Sequence, residues 1–200
     1  PGGETHRLTS HANYEVYATF SADSKDILFV RLDQRWVDHE IVRMSRDGSN
    51  QRVIGTDENF FDYHYGRTFG YPTASPDGAL IFFRSHRSGW INYWAVTPAG
   101  GEPRQLAPQE ADQEGGAWSK DGKWFAYTSN TNGTTDIRIV PASGGEPRVL
   151  VAPSTGVCAH PQWSPDGTTI SYVYATSTNP ADLHVVDVAS GAVTRLTDSS

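Results

Sequence analysis

Four Ser-x-Asp pairs are the residues of this chain whose types and spacing could do chemistry. A serine hydroxyl close to a carboxylate could act as a nucleophile, and recurring carboxylates could bind a metal ion. The pairs are Ser21 and Asp23, Ser75 and Asp77, Ser119 and Asp121, and Ser164 and Asp166. None of the four serines lies in the Gly-x-Ser-x-Gly motif of a nucleophile elbow. Because one active site needs only one copy, a fourfold pair indicates a role in the fold.

The pairs mark an internal repeat. Their aspartates lie about 54, 44 and 45 positions apart, and a period of this size with strand and turn character is typical of propeller blades. An aspartate that follows a serine and precedes a glycine can accept backbone N–H groups within a tight turn. We therefore predict that these serines and aspartates form turns, and we assign no catalytic residue in this chain.

Each copy of the repeat has the pattern of four short strands. After the Ser-x-Asp turn comes an apolar strand, then a polar turn, then a third strand and a glycine-rich hairpin before a short closing strand. The apolar strands are predicted at 27–30, 80–83, 124–127 and 170–174, and the third strands at 40–42, 92–94, 136–138 and 182–184. No stretch has a sustained 3.6-residue period, so we predict an all-β chain of four-stranded antiparallel blades without helices.

The repeat also predicts the organisation of the chain, a β-propeller segment over residues 1–200. We assign blades to 11–56, 71–110, 111–153 and 154–200, an aromatic insertion to 57–70, and the closing strand of a preceding blade to 1–10. Four blades with an extra closing strand suit a longer ring that has been cut. We therefore expect a WD40-like (PD40-type) fragment of a ring of six to eight blades.

Composition excludes some classes of partner. A net charge of −7 argues against a nucleic-acid surface, which needs a basic face. No apolar run approaches the roughly 18 residues of a membrane span, so no membrane contact is predicted. The single cysteine, Cys158, excludes an internal disulfide and fits a reducing compartment. We expect a cytoplasmic protein, with the periplasm as the alternative location.

The aromatic insertion interrupts the repeat and is the predicted substrate contact. Residues 60–69 concentrate Phe and Tyr side chains together with a histidine and an arginine. A plain connector would be polar, because exposed aromatic surface is costly without a partner. We predict that Tyr63, His64, Tyr65 and Arg67 contact a peptide substrate. The alternative is a cap that packs on itself over a blade edge.

The seven histidines raise the question of a metal site. They lie at positions 6, 11, 39, 64, 86, 160 and 184, and no pair has a ligand spacing such as His-x-x-x-His. We predict no metal ion and no cofactor. A metal-dependent propeller resembling the oligogalacturonate lyases stays open as an alternative, because such propellers hold a metal through histidines.

Several longer phrases resemble the propeller of bacterial serine peptidases of the prolyl oligopeptidase family (S9), with the acylaminoacyl-peptidase and dipeptidyl-peptidase branches closest. These phrases are residues 89–94 with 100–106, residues 117–130, and residues 177–187 with 191–197. In that family a phrase similar to the last one closes the final blade before an α/β-hydrolase domain. The resemblance implies a non-catalytic propeller that gates peptide access to such a domain and positions the substrate.

The resemblance also implies the partners, namely a C-terminal α/β-hydrolase domain of the parent chain and a peptide substrate. The family's catalytic triad cannot be assigned, because no matching motif occurs in these residues. Open blade edges invite pairing with a second copy, so a homo-oligomer is a further expectation. The turn motif also occurs in Tol-system propellers, and a stand-alone binding or scaffold propeller of that kind remains the main alternative.

Overall fold

The computed structural model describes residues 3–35, 38–57 and 72–199, and within these ranges it contains sixteen β-strands and no helix. The prediction of an all-β chain is therefore confirmed. The strands are β1 (Tyr14–Phe20), β2 (Asp26–Leu32), β3 (His39–Ser45), β4 (Arg52–Asp57), β5 (Thr73–Ala74), β6 (Ile81–Ser85), β7 (Asn92–Val96), β8 (Arg104–Gln105), β9 (Asp112–Trp118), β10 (Trp124–Thr131), β11 (Thr134–Pro141), β12 (Arg148–Val151), β13 (Val157–Trp163), β14 (Thr169–Ala175), β15 (Asp182–Asp187) and β16 (Val193–Arg195). The described part of the chain has no helix long and apolar enough to cross a membrane.

The strands pair in chain order, which gives four sets of four. β1 to β4 form one sheet and β5 to β8 form another, and we call these the first and second blades. β9 to β12 form the third blade and β13 to β16 the fourth, and the two are joined into one eight-stranded sheet. The join is a parallel pairing of β11 with β13 at Thr135 and Val157, whereas all pairings within the blades are antiparallel. The predicted four-stranded antiparallel architecture is thus confirmed.

The chain divides into two compact units, which are described separately. The first unit comprises Pro1–Arg84 with Ala95–Arg104, and the second comprises Ser85–Trp94 with Gln105–Ser200. In the first unit, Phe29, Val42 and Met44 form a buried cluster on one face of β2 and β3. Phe29 lies opposite Val42 in the register of the two strands, so the alternation of apolar and polar residues buries one face of the sheet.

The core of the second unit lies between the third and fourth blades. Ile137 and Ile139 of β11 pack with Ile170 and Tyr172 of β14, and each of these side chains is at most 3% exposed. Side chains in β-strands alternate between the two faces, so one face of the third blade is covered by one face of the fourth. Burial of large aliphatic and aromatic side chains of this kind stabilises a fold by about 1.5–3 kcal/mol each.

A glycine permits close packing between β7 and β9 in the second unit. The Gly116 N–H donates a 2.7 Å hydrogen bond to the Tyr93 hydroxyl, and the Tyr93 and Phe125 rings meet edge to face at 4.7 Å. A Cβ on Gly116 would overlap the Phe125 ring and lie 2.7 Å from the Tyr93 hydroxyl oxygen. Only glycine therefore fits at this position.

Residues 3–10 differ from the expectation, because they form no strand in the described structure although 1–10 were predicted as a closing strand. A strand requires a neighbouring backbone for its hydrogen bonds. The segment still lies against the first blade, since a Cβ on Gly48 would sit 2.7 Å from the Leu8 carbonyl oxygen. A Cβ on Gly100, which follows β7, would likewise lie 3.4 Å from the carbonyl oxygen of Ile54 in β4, the closing strand of the first blade. Leu8 therefore lies against the first blade as β4 lies against the second.

Candidate functional site

The predicted substrate-contact residues Tyr63, His64, Tyr65 and Arg67 lie outside the described residues, and their role stays a prediction. The described chain reaches the insertion at Asp57, the last residue of β4, and resumes at Pro72. The candidate site is therefore built from the strand ends that border the insertion within the first unit.

His39, Asp57 and Arg84 lie together at this end of the first unit, around a cavity of about 20 Å³ that we call the His39 end. His39 opens β3 opposite Asp57 in the register of β3 and β4, and its side chain is buried. Apolar side chains complete the wall, namely Val30, Ile41 and Phe83. The arrangement places an imidazole, a carboxylate and a guanidinium side by side over an apolar floor.

Burial lowers the pKa of His39, and the nearby carboxylates of Asp57, Asp33 and Asp38 oppose that shift. The lowered pKa keeps the imidazole neutral near pH 7, where it can donate one hydrogen bond and accept another. The cavity of about 20 Å³ has room for about one water molecule, so this end of the first unit is a buried polar cluster and not a pocket for a peptide group.

The turn before β3 adds an exposed arginine near His39. Arg35 Nε donates to Asp33 Oδ2 at 3.0 Å, and its Nη2 lies 3.7 Å from Asp38 Oδ2. The Asp38 N–H donates back to Asp33 Oδ1 at 3.3 Å, which closes the turn. Both ion pairs involve an arginine side chain that is 74% exposed, so they orient the turn and contribute little to stability.

His39 is not among the site residues predicted from the sequence, where it is one of seven histidines without a metal-ligand spacing. The available signal was its position, because His39 directly precedes the polar residue predicted to open the third strand of its blade. Among the described residues, no group of three or more His, Cys, Asp or Glu side chains is placed to hold a metal ion.

The Ser-x-Asp pairs take the turn-forming role that the sequence analysis predicted. In each pair the serine hydroxyl donates to the aspartate Oδ1, and that oxygen also accepts the backbone N–H two residues further on. The Ser-to-Asp distances are 2.8 Å at Ser21, 2.5 Å at Ser75, 2.7 Å at Ser119 and 2.6 Å at Ser164. Each hydroxyl in turn accepts the backbone N–H five residues later, at 2.9 to 3.0 Å.

These bonds set the ionisation of the aspartates. The Ser119 hydroxyl, followed by the backbone N–H of Lys123, lowers the pKa of Asp121, and Ser164 with Thr168 does the same for Asp166. A carboxylate that is already hydrogen-bonded in its charged form is a poor general acid at neutral pH. The serine hydroxyl donates its hydrogen bond to the same carboxylate. Nucleophilic chemistry at these turns would require breaking the turn itself.

A second polar cluster lies in the fourth blade, where the peptidase-like phrase runs through β15. Asp182 is 4% exposed, and its carboxylate accepts hydrogen bonds from Arg195, the Thr197 hydroxyl and the Ser199 N–H. Burial raises the pKa of Asp182, but the bonds from Thr197, Arg195 and Ser199 outweigh burial and leave it lowered. The carboxylate therefore ties the segment after β16 to the start of β15.

The second unit contains a neutral counterpart of this cluster. Asn92 Oδ1 accepts hydrogen bonds from Gln105 Nε2 and from the Gln109 N–H at 3.1 Å, and Asn92 Nδ2 donates to the Ala111 carbonyl at 2.9 Å. Gln113, which is fully buried, accepts from the Tyr93 N–H and donates to the Ala107 carbonyl. In the second blade the amide of Asn92 therefore holds the segment that leads to β9. In the fourth blade the carboxylate of Asp182 and the guanidinium of Arg195 have the corresponding role.

Sequential four-stranded antiparallel sheets, each with a Ser-x-Asp turn between its first and second strands, define a protein of the β-propeller class. The family model PD40, described as the TolB beta propeller domain, matches residues 63–199, which is more than half of the chain. The chain belongs to this family.

Curated relatives of this chain are Tol-Pal system proteins. TolB of Anaeromyxobacter dehalogenans strain 2CP-C is 30% identical over 124 residues, which cover 62% of this chain and 26% of that protein. TolB of Anaeromyxobacter sp. strain K is 32% identical over the same length. The chain thus spans about a quarter of the length of the curated relatives it matches.

Solved structures with this fold include TolB proteins and peptidases. TolB from Acinetobacter baumannii aligns with a TM-score of 0.66 at 20% identity, covering 96% of this chain and 46% of that one. A puromycin-hydrolyzing peptidase of Mycobacterium tuberculosis aligns at 0.72 and 18% identity, covering 96% and 30%. Dipeptidyl peptidase 4 of Porphyromonas gingivalis aligns at 0.72 and 14% identity, covering 90% and 26%. At these identities the likeness shows the fold alone.

Proposed function

We propose that this chain is the non-catalytic propeller part of a serine peptidase of the prolyl oligopeptidase family. In this role it gates the access of peptides to a C-terminal α/β-hydrolase domain and positions them through the insertion at 57–70. The likeness of fold to two peptidases supports the proposal, as does the resemblance of residues 177–187 to the last-blade phrase of the family.

The cluster around Asp182 is the observation that carries the proposal. A propeller that passes its chain to a catalytic domain needs a rigid exit from its last blade, because the gate must keep its position over the active site. Asp182 supplies such an exit by holding Arg195, Thr197 and Ser199 with charge-assisted bonds. The neutral cluster around Asn92, in contrast, holds the segment that leads from the second blade to β9.

The test is active-site labelling of the complete parent protein with a fluorophosphonate probe, together with hydrolysis of a chromogenic dipeptide and of a long unfolded peptide. We expect one labelled serine beyond residue 200 and cleavage of both substrates. Absence of labelling and of hydrolysis in a folded parent protein would refute the peptidase assignment.

Gating is tested separately in the same enzyme. Tyr63→Ala, His64→Ala and Arg67→Ala are expected to raise KM for peptides while leaving the rate of serine labelling unchanged. Lys120→Ala, an exposed change in a Ser-x-Asp turn, is the matched control and should leave both values alone. Unchanged peptide kinetics in all three variants would remove the insertion from the site without touching the peptidase assignment.

The second candidate is a stand-alone binding or scaffold propeller of the Tol type. Its support is the sequence match to TolB proteins at 30–32% identity, which exceeds the identity to any of the peptidases named above. A parent protein that lacks serine labelling and binds a protein of a Tol-Pal system in pull-down experiments would favour this candidate.

A further inference from the structure

A cleft of about 460 Å³ lies between the Ser-x-Asp turns of the third and fourth blades, and we call it the Trp124 cleft. Trp124 and Trp163 line it together with the turn aspartates Asp121 and Asp166. All of these residues belong to the second unit. Both walls of the cleft therefore come from blades whose four strands the structure describes.

The two tryptophans give the Trp124 cleft an aromatic wall. Both side chains are partly buried, because they pack against the hydrophobic core of the second unit. Trp163 Nε1 also donates to the Ala117 carbonyl at 3.1 Å, which fixes the orientation of its ring. Indole rings attract cations more strongly than other aromatic side chains do, and the planar guanidinium of arginine can stack on them. The wall therefore suits a guanidinium.

Asp166 gives the same cleft a carboxylate oxygen that is available to a ligand. The Ser164 hydroxyl, the Thr168 N–H and the Thr168 hydroxyl all donate to Asp166 Oδ1, at 2.6, 3.1 and 2.9 Å. Within the described residues Asp166 Oδ2 has no hydrogen bond or ion pair, whereas Asp121 Oδ2 has Lys123 Nζ at 3.6 Å. The bonds to Oδ1 lower the pKa of Asp166, so this carboxylate is charged at neutral pH.

The first unit shows that a cleft of this kind accommodates a guanidinium. A cleft of about 320 Å³ lies between the Ser-x-Asp turns of the first and second blades, with Asp23 and Asp77 in its lining. Arg43 also lines it. The guanidinium of Arg43 pairs with Asp26 and donates to the Pro98 carbonyl at 3.0 Å. The chain itself thus supplies a cation at this first cleft.

The Trp124 cleft has no arginine of this kind in its lining. By the strand register counted from the turn serine, Trp124 and Ile139 take the positions that Asp26 and Arg43 have in the first blade. Ile139 is fully buried in the core of the second unit. The one basic residue in the described lining, Lys120, is exposed. A guanidinium on the aromatic wall would therefore have to come from another molecule.

We propose that the Trp124 cleft binds an arginine side chain from a basic segment of a partner protein. The guanidinium stacks on the indoles of Trp124 and Trp163 and pairs with Asp166 Oδ2. A net charge of −7 favours the approach of such a segment. The contact is independent of the proposed peptidase role, because it uses the Ser-x-Asp turns and not the insertion at 57–70.

Nuclear magnetic resonance of the ¹⁵N-labelled 200-residue chain tests the proposal with the blocked peptide acetyl-Gly-Arg-Gly-amide. Trp124→Phe and Trp163→Phe assign the two relevant signals among the six indole N–H groups. We expect saturable shifts of these two signals, with a dissociation constant in the millimolar range. The same peptide with citrulline, which has the length of arginine without its charge, should cause no saturable shift. This comparison depends on no variant.

Asp166→Asn should weaken binding of the arginine peptide by about twofold to fivefold, the usual value of an exposed ion pair. Asparagine keeps the oxygen that accepts the turn hydrogen bonds, so the turn is retained. Asp77→Asn, the same change in a turn of the first cleft, is the matched control and should bind like the wild type. Circular dichroism establishes that both variants are folded. Absence of saturable shifts, equal shifts with the citrulline peptide, or equal weakening in both variants would each overturn the proposal.

Discussion

The Thr135 hydroxyl and the backbone of Cys158 exchange two hydrogen bonds of 2.6 Å. Thr135 Oγ1 donates to the Cys158 carbonyl and accepts from the Cys158 N–H. The two residues lie on β11 and β13, beside the parallel pairing of Thr135 with Val157 that joins the third and fourth blades. The Thr135 hydroxyl therefore makes the two hydrogen bonds to Cys158 that a backbone N–H and carbonyl of a neighbouring strand would otherwise make.

Replacement of Thr135 by valine should weaken this join. Valine has nearly the same shape but leaves the Cys158 N–H and carbonyl without their partner, and an unsatisfied buried group costs about 1–3 kcal/mol. We expect Thr135→Val to lower the free energy of unfolding by that amount in urea titrations. Thr134→Val, which removes only one bond at the hairpin (to the Thr131 carbonyl), should have a smaller effect. Equal losses in both variants would contradict the special role of Thr135.

The serine of a Ser-x-Asp turn should contribute to stability and take no part in catalysis. Ser119 is 2% exposed, and its hydroxyl joins Asp121 to the Trp124 N–H. We expect Ser119→Ala to cost about 1–2 kcal/mol of stability in denaturant melts. Ser88→Ala, in an exposed turn with one 3.2 Å bond, should lie within about 0.5 kcal/mol of the wild type. In a complete enzyme, loss of activity from Ser119→Ala at full stability would disprove the structural role.

The Cys158 thiol should be inert in the folded chain. Burial, with a smaller contribution from Asp136, raises the pKa of Cys158 to about 12, so the thiolate hardly forms at pH 8. We expect no reaction with Ellman's reagent (DTNB) in buffer and complete reaction in urea. Rapid labelling of the folded chain at pH 8 would show that the thiol is accessible.

The same raised pKa predicts a loss of stability in alkali. The unfolded thiol ionises above pH 9 while the folded thiol does not, so its stabilising contribution is present below about pH 9 and is lost as the pH rises towards 12. Burial also raises the pKa of Tyr172 to about 12, which adds a loss that begins near pH 10. Cys158→Ala should flatten the unfolding free energy between pH 9 and 10 and make the loss above pH 10 shallower, because the contribution of Tyr172 remains.

Asp182 should contribute to acid sensitivity. Its pKa is lowered in the folded chain, so its stabilising contribution is complete above the ordinary value of 3.8 and is lost as the pH falls through the lower folded value. We expect Asp182→Asn to lower the unfolding midpoint at pH 7 and to make the decline below pH 4 shallower. Asp198→Asn, at a 67% exposed side chain that also meets Arg195, is the control. An unchanged acid limb in Asp182→Asn would refute the assignment.

The features that could be predicted from the sequence are those that depend on residues close together along the chain. The positions of the second and third strands and the role of the Ser-x-Asp turns follow from alternation and from bonds that span five residues or fewer. The join at Thr135 and the tie between Asp182 and Ser199 could not be predicted, because they connect residues 23 and 17 positions apart. Residues 3–10 carry the sequence of a closing strand but form none, because strand formation depends on a partner that local sequence does not specify.

The strictly sequential order of the strands has a consequence for synthesis on the ribosome. Each blade is made of four consecutive strands, so its pairings involve residues close in sequence, and loop closure costs little. A blade can therefore form as soon as its own residues have left the exit tunnel, without waiting for the rest of the chain. The nascent chain then presents one uncovered apolar face at a time, which limits the surface open to aggregation during translation.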